Sequence, residues 1–271
     1  MPQSVEVSVH APLGAYPFGE PLGLVQWPAT AARNVFVLGV YPSAFHASWH
    51  SPQGRMISPA LSVADEPEPF WDGSGNEAVL NRVAKRVPSE AGSLRDAGEN
   101  NGRAGRTLND AYLAPLGLTR DDVWIADLQN YYLASAGQVR RIEESYEPLV
   151  ETGLVPPATI IPRASRPTLG QLAHDRDPPL EVEWGEADAT WLITLGDEPV
   201  KVLGLEDLRN GEYGHPRRAT VFGRDVNHLA LVHTRQAGKH GSHSPQWHRR
   251  HHEWIQQLRD DPPIWLGELG G

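Results

Sequence analysis

Three residues whose side chains or backbone could do chemistry stand at the ends of apolar runs. Asp127 closes VWIAD, His233 closes HLALVH, and Gly39 in VFVLGV leads into the turn Val40-Tyr41-Pro42-Ser43. A histidine can give or take a proton near neutrality, and an aspartate can accept hydrogen bonds or hold a charge. A glycine ahead of an X-X-Pro turn lets the backbone come close to a ligand. Each has an ordinary structural use as well: a turn-capping carboxylate, or a strand-end histidine satisfied by backbone. Together at neighbouring strand ends they mark a candidate site. A second concentration lies between His215 and His252, where Arg217, Arg218, Arg224, Arg235, Lys239, Arg249 and Arg250 face one acid, Asp225. Such a segment either offers a face to an anionic partner such as a polyphosphate or simply solvates the last helix. His248 and His252 have the i, i+4 spacing of a metal pair, but no HExxH is present and Arg249 and Arg250 would repel a cation. Neither a metal nor a cofactor is expected.

The elements that must position these residues follow from hydrophobic pattern. VFVLGV (35–40), VWIADL (123–128), WLITLG (191–196) and HLALVH (228–233) are short, nearly continuous apolar runs. That is the signature of parallel strands covered on both faces. Helices are expected over 76–87, 107–118 with Thr107 as its cap, 198–204, and 244–258 with Ser244 as its cap. The alternation predicts an α/β fold, a three-layer α/β/α sandwich around a four-stranded, mainly parallel sheet. One domain over 1–271 is expected, with a 1–32 N-terminal extension and polar insertions, notably 46–75, 89–106 and 134–188. The 89–106 stretch is expected to be a flexible surface loop.

Composition narrows the chemistry. With no cysteine, disulfides, thiolate nucleophiles, cysteine-ligated zinc and Fe–S clusters are excluded. A net charge of -10 argues against coating nucleic acid with the whole surface. No run approaches the roughly 18 apolar residues of a membrane span, and the first residues lack signal-peptide character, so a cytoplasmic protein without membrane contact is expected. Neither GxxxxGK[ST] nor GxGxxG follows the first run, which argues against a nucleotide phosphate loop.

In the order of its motifs the chain resembles the uracil-DNA glycosylase superfamily. Gly39-Val40-Tyr41-Pro42 is similar to the family's first G-x-x-P motif, and the stretch from His233 to Pro245 to its His-led second motif. Pro69-Phe70-Trp71-Asp72-Gly73 resembles the P-F-x-G segment whose ring stacks on an extruded base, VWIAD the strand that reads the base edge, and WLITLGDEPVKVLG the strand–Gly–helix unit before the second motif. The likeness spans roughly 33–258. It implies DNA as partner, base flipping, and hydrolysis of an N-glycosidic bond by a monomer. His233 would stabilise charge on the base and Asp127 would read its edge. Phe70 would stack on it, with Gly39, Val40, Pro42, Ser43 and Trp71 lining the pocket. Arg235, Gln236, Lys239, His240 and His243 would hold the DNA. No lysine sits at a strand end to form a Schiff base, so a monofunctional hydrolase is expected.

The departures from the family pattern carry information. Val40 and Tyr41 stand where the family places a water-activating acid or amide; Tyr41 joins His233 and Asp127 as a catalytic candidate, and Asp65, Asp72 and His46 are candidates to replace the activator. Asp127 stands where the family has Asn. An ionised carboxylate only accepts, which suits the N4 amino group of cytosine rather than O4 of uracil. Pro42 is followed by the small Ser43 and Ala44 rather than a large ring, leaving room at the pyrimidine 5-position. A 5-substituted cytosine, hydroxymethyl or glucosyl-hydroxymethyl as in phage DNA, is therefore the expected target, with Gln129, Asn130, His46 and Arg140 as donors to the substituent and antiphage defence as the role. Uracil repair and a catalytically silent DNA-binding protein are the alternatives.

Overall fold

Side chains that alternate between two apolar faces leave the four runs nowhere to go but the middle of the molecule. A computed structural model describes residues 12–28, 31–163, 171, 173–174, 176–205, 213–237 and 245–269. Its main strands are β1 (Val35–Gly39), β2 (Ala44–His50), β3 (Met56–Asp65), β4 (Ser93–Asp96), β5 (Val123–Asp127), β6 (Trp191–Leu195), β7 (Arg217–Val221) and β8 (Arg224–Leu231). The helices are α1 (Asn76–Ala84), α2 (Arg103–Leu108), α3 (Ala136–Arg141), α4 (Leu180–Ala187), α5 (Asp197–Val202), α6 (Thr234–Ala237) and α7 (Pro245–Asp260).

The central sheet has the order β5-β1-β6-β8-β7. Its first four strands are parallel, and β7 is antiparallel to β8. The sheet is thus five-stranded and mixed rather than four-stranded. The edge strand escapes a hydropathy reading because RRATV alternates exposed and covered positions instead of presenting an apolar run. One face packs Val35, Val37, Ile125, Ile193 and Leu229 against Trp254, Ile255 and Leu258 of α7 and against Leu108 and Tyr112. The other packs Phe36, Leu38, Trp124 and Leu192 against Leu180 and Trp184 of α4. Successive residues of β1 go to opposite faces, as a pleated strand covered on both sides requires.

A second, antiparallel sheet of order β3-β2-β4 occupies stretches expected to be loops. Residues 46–75 and 89–106 therefore contain ordered strands. The cause lies in their side chains: Phe45, Ala47, Trp49, Leu61 and Val63 point into a core shared with Val79 and Val83 of α1, while the interspersed His, Ser and Ala residues make the sequence look polar. The 134–188 stretch likewise holds α3, which runs on through a π turn (Ile142–Tyr146) to Glu147–Glu151, and later α4.

The helix expected over 107–118 begins earlier. Gly102, at φ +70, occupies the N-cap of α2, and a Cβ there would strike the backbone of Asp72 and Gly73, so Thr107 lies inside the helix rather than at its start. Its expected close at Gly117 is where the chain turns left-handed. Ser244, the expected cap of α7, lies outside the described residues. No helix among them is long and apolar enough to cross a membrane.

Candidate active site

Strand order determines where a crevice can open. The chain leaves β1 toward β5 on one side and leaves β6 toward β8 on the other, so the carboxyl ends of β1 and β6 flank a topological switch point. Gly39 ends β1 and pairs in register with Asp127, the last residue of β5. A Cβ on Gly39 would collide with Asp127 Oδ1 and with the edge of the Phe70 ring, so only glycine lets these two groups meet over the strand end. The turn that follows is sewn to the strand after Asp127: the Leu128 N–H donates to the Gly39 carbonyl at 3.2 Å and the Gln129 N–H to that of Val40 at 3.0 Å. Val40 packs on Leu133, Pro42 is buried, Ser43 is half-buried, and the ring of Tyr41 lies 4.8 Å from the Arg163 guanidinium.

Asp127 is 2% exposed, and its Oδ1 has no hydrogen-bond partner among the described residues. Burial pushes its carboxyl up to about 8; Glu183 adds to this, while Arg176 and the Val40 N–H oppose it. Arg176 is itself buried in an ion pair with Glu183 at 2.9 Å. At neutral pH Asp127 is therefore mainly protonated, which corrects the expectation of a carboxylate that can only accept. Sequence shows the residue type; burial, not legible there, decides its charge.

Phe70 is held in a conformation its side chain resists, at φ +51. Arg120 clamps it: Nη1 donates to the Phe70 carbonyl at 3.0 Å, Nη2 to the Pro69 carbonyl at 3.2 Å and to Glu68 at 2.7 Å, with Trp27 beneath the guanidinium at 5.0 Å. From the other side Gly105 of α2 abuts the Phe70 and Trp71 carbonyls so closely that a Cβ would overlap them. The two neighbouring rings part company here. Phe70 joins the core of the central sheet, whereas Trp71 joins that of the antiparallel sheet, stacked near Phe45 and donating to the Ser74 carbonyl at 2.9 Å. Trp71 is thus not brought to the candidate pocket.

His233 follows β8 and precedes α6. Its Nδ1 accepts the Arg235 N–H at 3.2 Å, as a helix-capping side chain does, which leaves Nε2 to carry the proton of the neutral ring. Burial lowers its pKa to about 4; Glu198 opposes this, and Arg235 and Arg163 reinforce it. Gly196 sits at φ +98, and a Cβ there would lie 3.3 Å from the His233 Cβ. Asp127 and His233 sit at the ends of strands three places apart, about 14 Å at the sheet's spacing. The carboxyl ends of the parallel strands thus carry a neutral carboxyl and an aromatic ring at one side and an N–H donor at the other.

The rest of the expected set distributes as follows. Arg235 is exposed beside His233, and Gln236 falls on α6. Lys239, His240 and His243 lie outside the described residues. Of the candidate activators, Asp65 accepts the Tyr16 hydroxyl and the Gly23 N–H, each at 2.7 Å, and so ties the N-terminal segment to β3. Asp72 accepts the Ser74 N–H at 2.9 Å in a surface turn, and His46 contacts Ser62 at 3.3 Å in the antiparallel sheet. Gln129 and Asn130 are each 1% exposed with their side-chain oxygens unpartnered among the described residues. Arg140 lines an open pocket of about 570 Å³ with Ser135, Glu143 and Arg163, the last of which connects it to Tyr41. On α7, His248 and His252 touch ring to ring at 4.4 Å, and no group of three or more metal-ligating side chains occurs among the described residues.

Three residues escaped sequence reasoning: Arg120, Arg163 and Glu66. Arg120 and Arg163 act across 50 and 122 positions, with no local signal. Glu66 could have been found, since it directly follows a strand that must end beside the first turn. Its side chain is 5% exposed, its carboxyl is raised well above the usual range by burial and by Asp127, and the Ser43 N–H donates to it. No protein-family model matches the chain, and no curated protein matches its sequence.

Proposed function

We propose that the protein is a monofunctional DNA glycosylase that flips out and hydrolytically excises a modified pyrimidine, most consistently a 5-substituted cytosine, leaving an abasic site. One observation carries this reading: Gly39, Phe70 and Asp127 meet at the carboxyl ends of β1 and β5, with the Nε2–H of a neutral His233 just beyond the end of β8 in the same sheet. A flipped base would lie against Phe70, its Watson–Crick edge toward Asp127. A protonated Asp127 suits cytosine at both positions, its O–H donating to N3 and its carbonyl accepting from N4–H. As the glycosidic bond lengthens, negative charge gathers on base O2, where a positioned N–H donor contributes about 3 kcal/mol or more. A neutral donor needs no proton from solvent and, unlike an imidazolium, holds its form throughout the physiological range. The resemblance to uracil-DNA glycosylases in motif order supports the same assignment, and Arg235 would contact phosphate as a monomer binds the duplex.

A second reading is favoured by the same protonation. A neutral carboxyl can also donate to O4 and accept from N3–H of uracil, so Asp127 by itself does not separate the two bases. The preference for a substituted cytosine rests instead on the small, half-buried Ser43 that borders the turn. Duplexes containing uracil, cytosine, 5-hydroxymethylcytosine or glucosylated 5-hydroxymethylcytosine, treated with alkali to reveal abasic sites, decide the matter. The proposal expects cleavage only at the substituted cytosines. Cleavage at uracil alone would make the protein a repair enzyme, and tight binding with no cleavage at any base would make it a silent DNA-binding protein.

A further inference from the structure

The family's water activator has no counterpart at Val40 or Tyr41, and the three acids or bases expected to replace it are committed elsewhere. Asp65 accepts one donor on each oxygen, from Tyr16 and from Gly23, and so holds the N-terminal segment; Asp72 caps a surface turn, and His46 lies among β2 and β3. The residue next to Asp65 is placed differently. In the β2–β3 ladder Ala44 pairs with Asp65, so the next step brings Glu66 opposite Ser43, within the turn that follows β1. Its side chain is 5% exposed, and Phe70, four residues on, is pressed against Gly39 together with an Asp127 oxygen that has no partner among the described residues. Glu66 therefore stands beside the first turn and near Asp127.

Resting on the glycosylase reading, we propose that Glu66 is the catalytic general base, taking a proton from the water that attacks the sugar. The water oxygen bonds to C1′ while the C1′–N1 bond breaks and its electron pair leaves with the base. One water proton passes to the Glu66 carboxylate, the departing base is stabilised by His233 Nε2–H, and the proton on Glu66 returns through solvent to the base. Water plus nucleotide gives abasic sugar plus free base, with no other reactant required.

The charged groups facing Glu66 are Asp127 from β5, Arg120 from the turn before it, and Glu68 on its own segment. Burial first, then Asp127 and Glu68, oppose ionisation of Glu66; the Ser43 N–H and Arg120 favour it. A protonated Asp127 removes one of the charges that oppose ionisation. The rate of base release should rise with pH as Glu66, whose carboxyl burial holds well above the usual range, loses its proton.

The test is single-turnover base release by the full chain at saturating duplex, for wild type and Glu66→Gln, with duplex binding and thermal unfolding measured alongside. Glutamine keeps the acceptor for the Ser43 N–H but cannot take a proton. The proposal expects a loss of about 100-fold or more with binding unchanged, and partial recovery of Glu66→Ala by added formate. Release by Glu66→Gln within tenfold of a releasing wild type overturns the role of Glu66 and leaves the glycosylase reading intact. Absence of release by wild type from every duplex overturns both. Should the variants fail to fold, the wild-type profile decides: a rate that does not rise with pH overturns the proposal.

Discussion

Buried carboxyl and amide oxygens are treated differently around the two sheets. Around the antiparallel sheet, buried carboxyl and amide oxygens are paired: Asp65 takes two donors at 2.7 Å, Asn101 bridges the His46 backbone with both bonds at 2.8 Å, and Gln138 accepts the Ser62 N–H at 3.2 Å. At the carboxyl ends of the parallel strands, Asp127, Gln129 and Asn130 are at least as deeply buried, yet an oxygen of each lacks a partner among the described residues. Leaving a buried acceptor unpaired costs about 1–3 kcal/mol. The contrast holds for carboxyl and amide groups, since within the antiparallel sheet His46 Nδ1, His50 Nδ1 and Ser58 Oγ are also buried without a partner among the described residues. Two histidines of the central sheet's own layer differ in the same respect. Burial lowers His251 and His233 alike to about 4, but His251 is engaged at both ring nitrogens, by the Tyr213 hydroxyl at 2.6 Å and the Ala111 carbonyl at 2.8 Å, whereas on His233 the capping bond takes Nδ1 and leaves Nε2–H as donor.

Truncation of the packed side gives the largest expected effect. Trp254→Ala removes a ring that is 4% exposed and donates to the Gly214 carbonyl at 3.2 Å. It should cost about 3–5 kcal/mol in denaturant unfolding. Asp65→Ala should cost about 2–3 kcal/mol by stranding two donors, whereas Asp127→Ala, which removes an incompletely paired acid, should leave stability unchanged or raised while abolishing base release. Equal losses of stability from the two aspartates would dissolve the contrast between the sheets.

Acid should act through four buried histidines, His46, His228, His233 and His251, each lowered to about 4. A histidine lowered to about 4 is bound less readily by protons when folded than its unfolded form, so its contribution to stability is present above about 6.5 and lost as pH falls toward 4. Between those values stability should rise with pH by about 1.4 kcal/mol per unit for each such residue. His251→Gln should remove one such increment from the slope. Asp65, raised to about 6, works the other way, its contribution falling as pH climbs from about 4 to 6.

The smallest effect is expected at Arg120. Arg120→Lys cannot bond the Pro69 and Phe70 carbonyls and Glu68 at once, so it should relax the strained Phe70 and weaken duplex binding several-fold, with a smaller change in unfolding midpoint. A binding loss no greater than the loss of stability would mean that Arg120 serves the fold alone.

What could be read from sequence divides along similar lines. The four parallel strands and the residues ending them were legible because burial on both faces writes a continuous apolar run, and Gly39 because a G-x-x-P turn has a local signature. The antiparallel sheet was not, since Ser58, Ser62 and His50 are buried within it and disguise its strands as loops. The site's clamp was hidden for another reason: Arg120 meets Phe70 across fifty positions, and nothing local foretells the pairing. Asp127 was identified, but its charge was misread, because the field that protonates it comes from burial and from Glu183, remote in the chain. Residue type is a local property and protonation is not.

The most direct measurement is single-turnover release of free base from a 5-hydroxymethylcytosine duplex by wild type and by His233→Ala, with duplex affinity measured on the same preparations. The account predicts release by wild type and about 100-fold slower release by the variant at unchanged affinity. Equal rates, or no release by either, would contradict it.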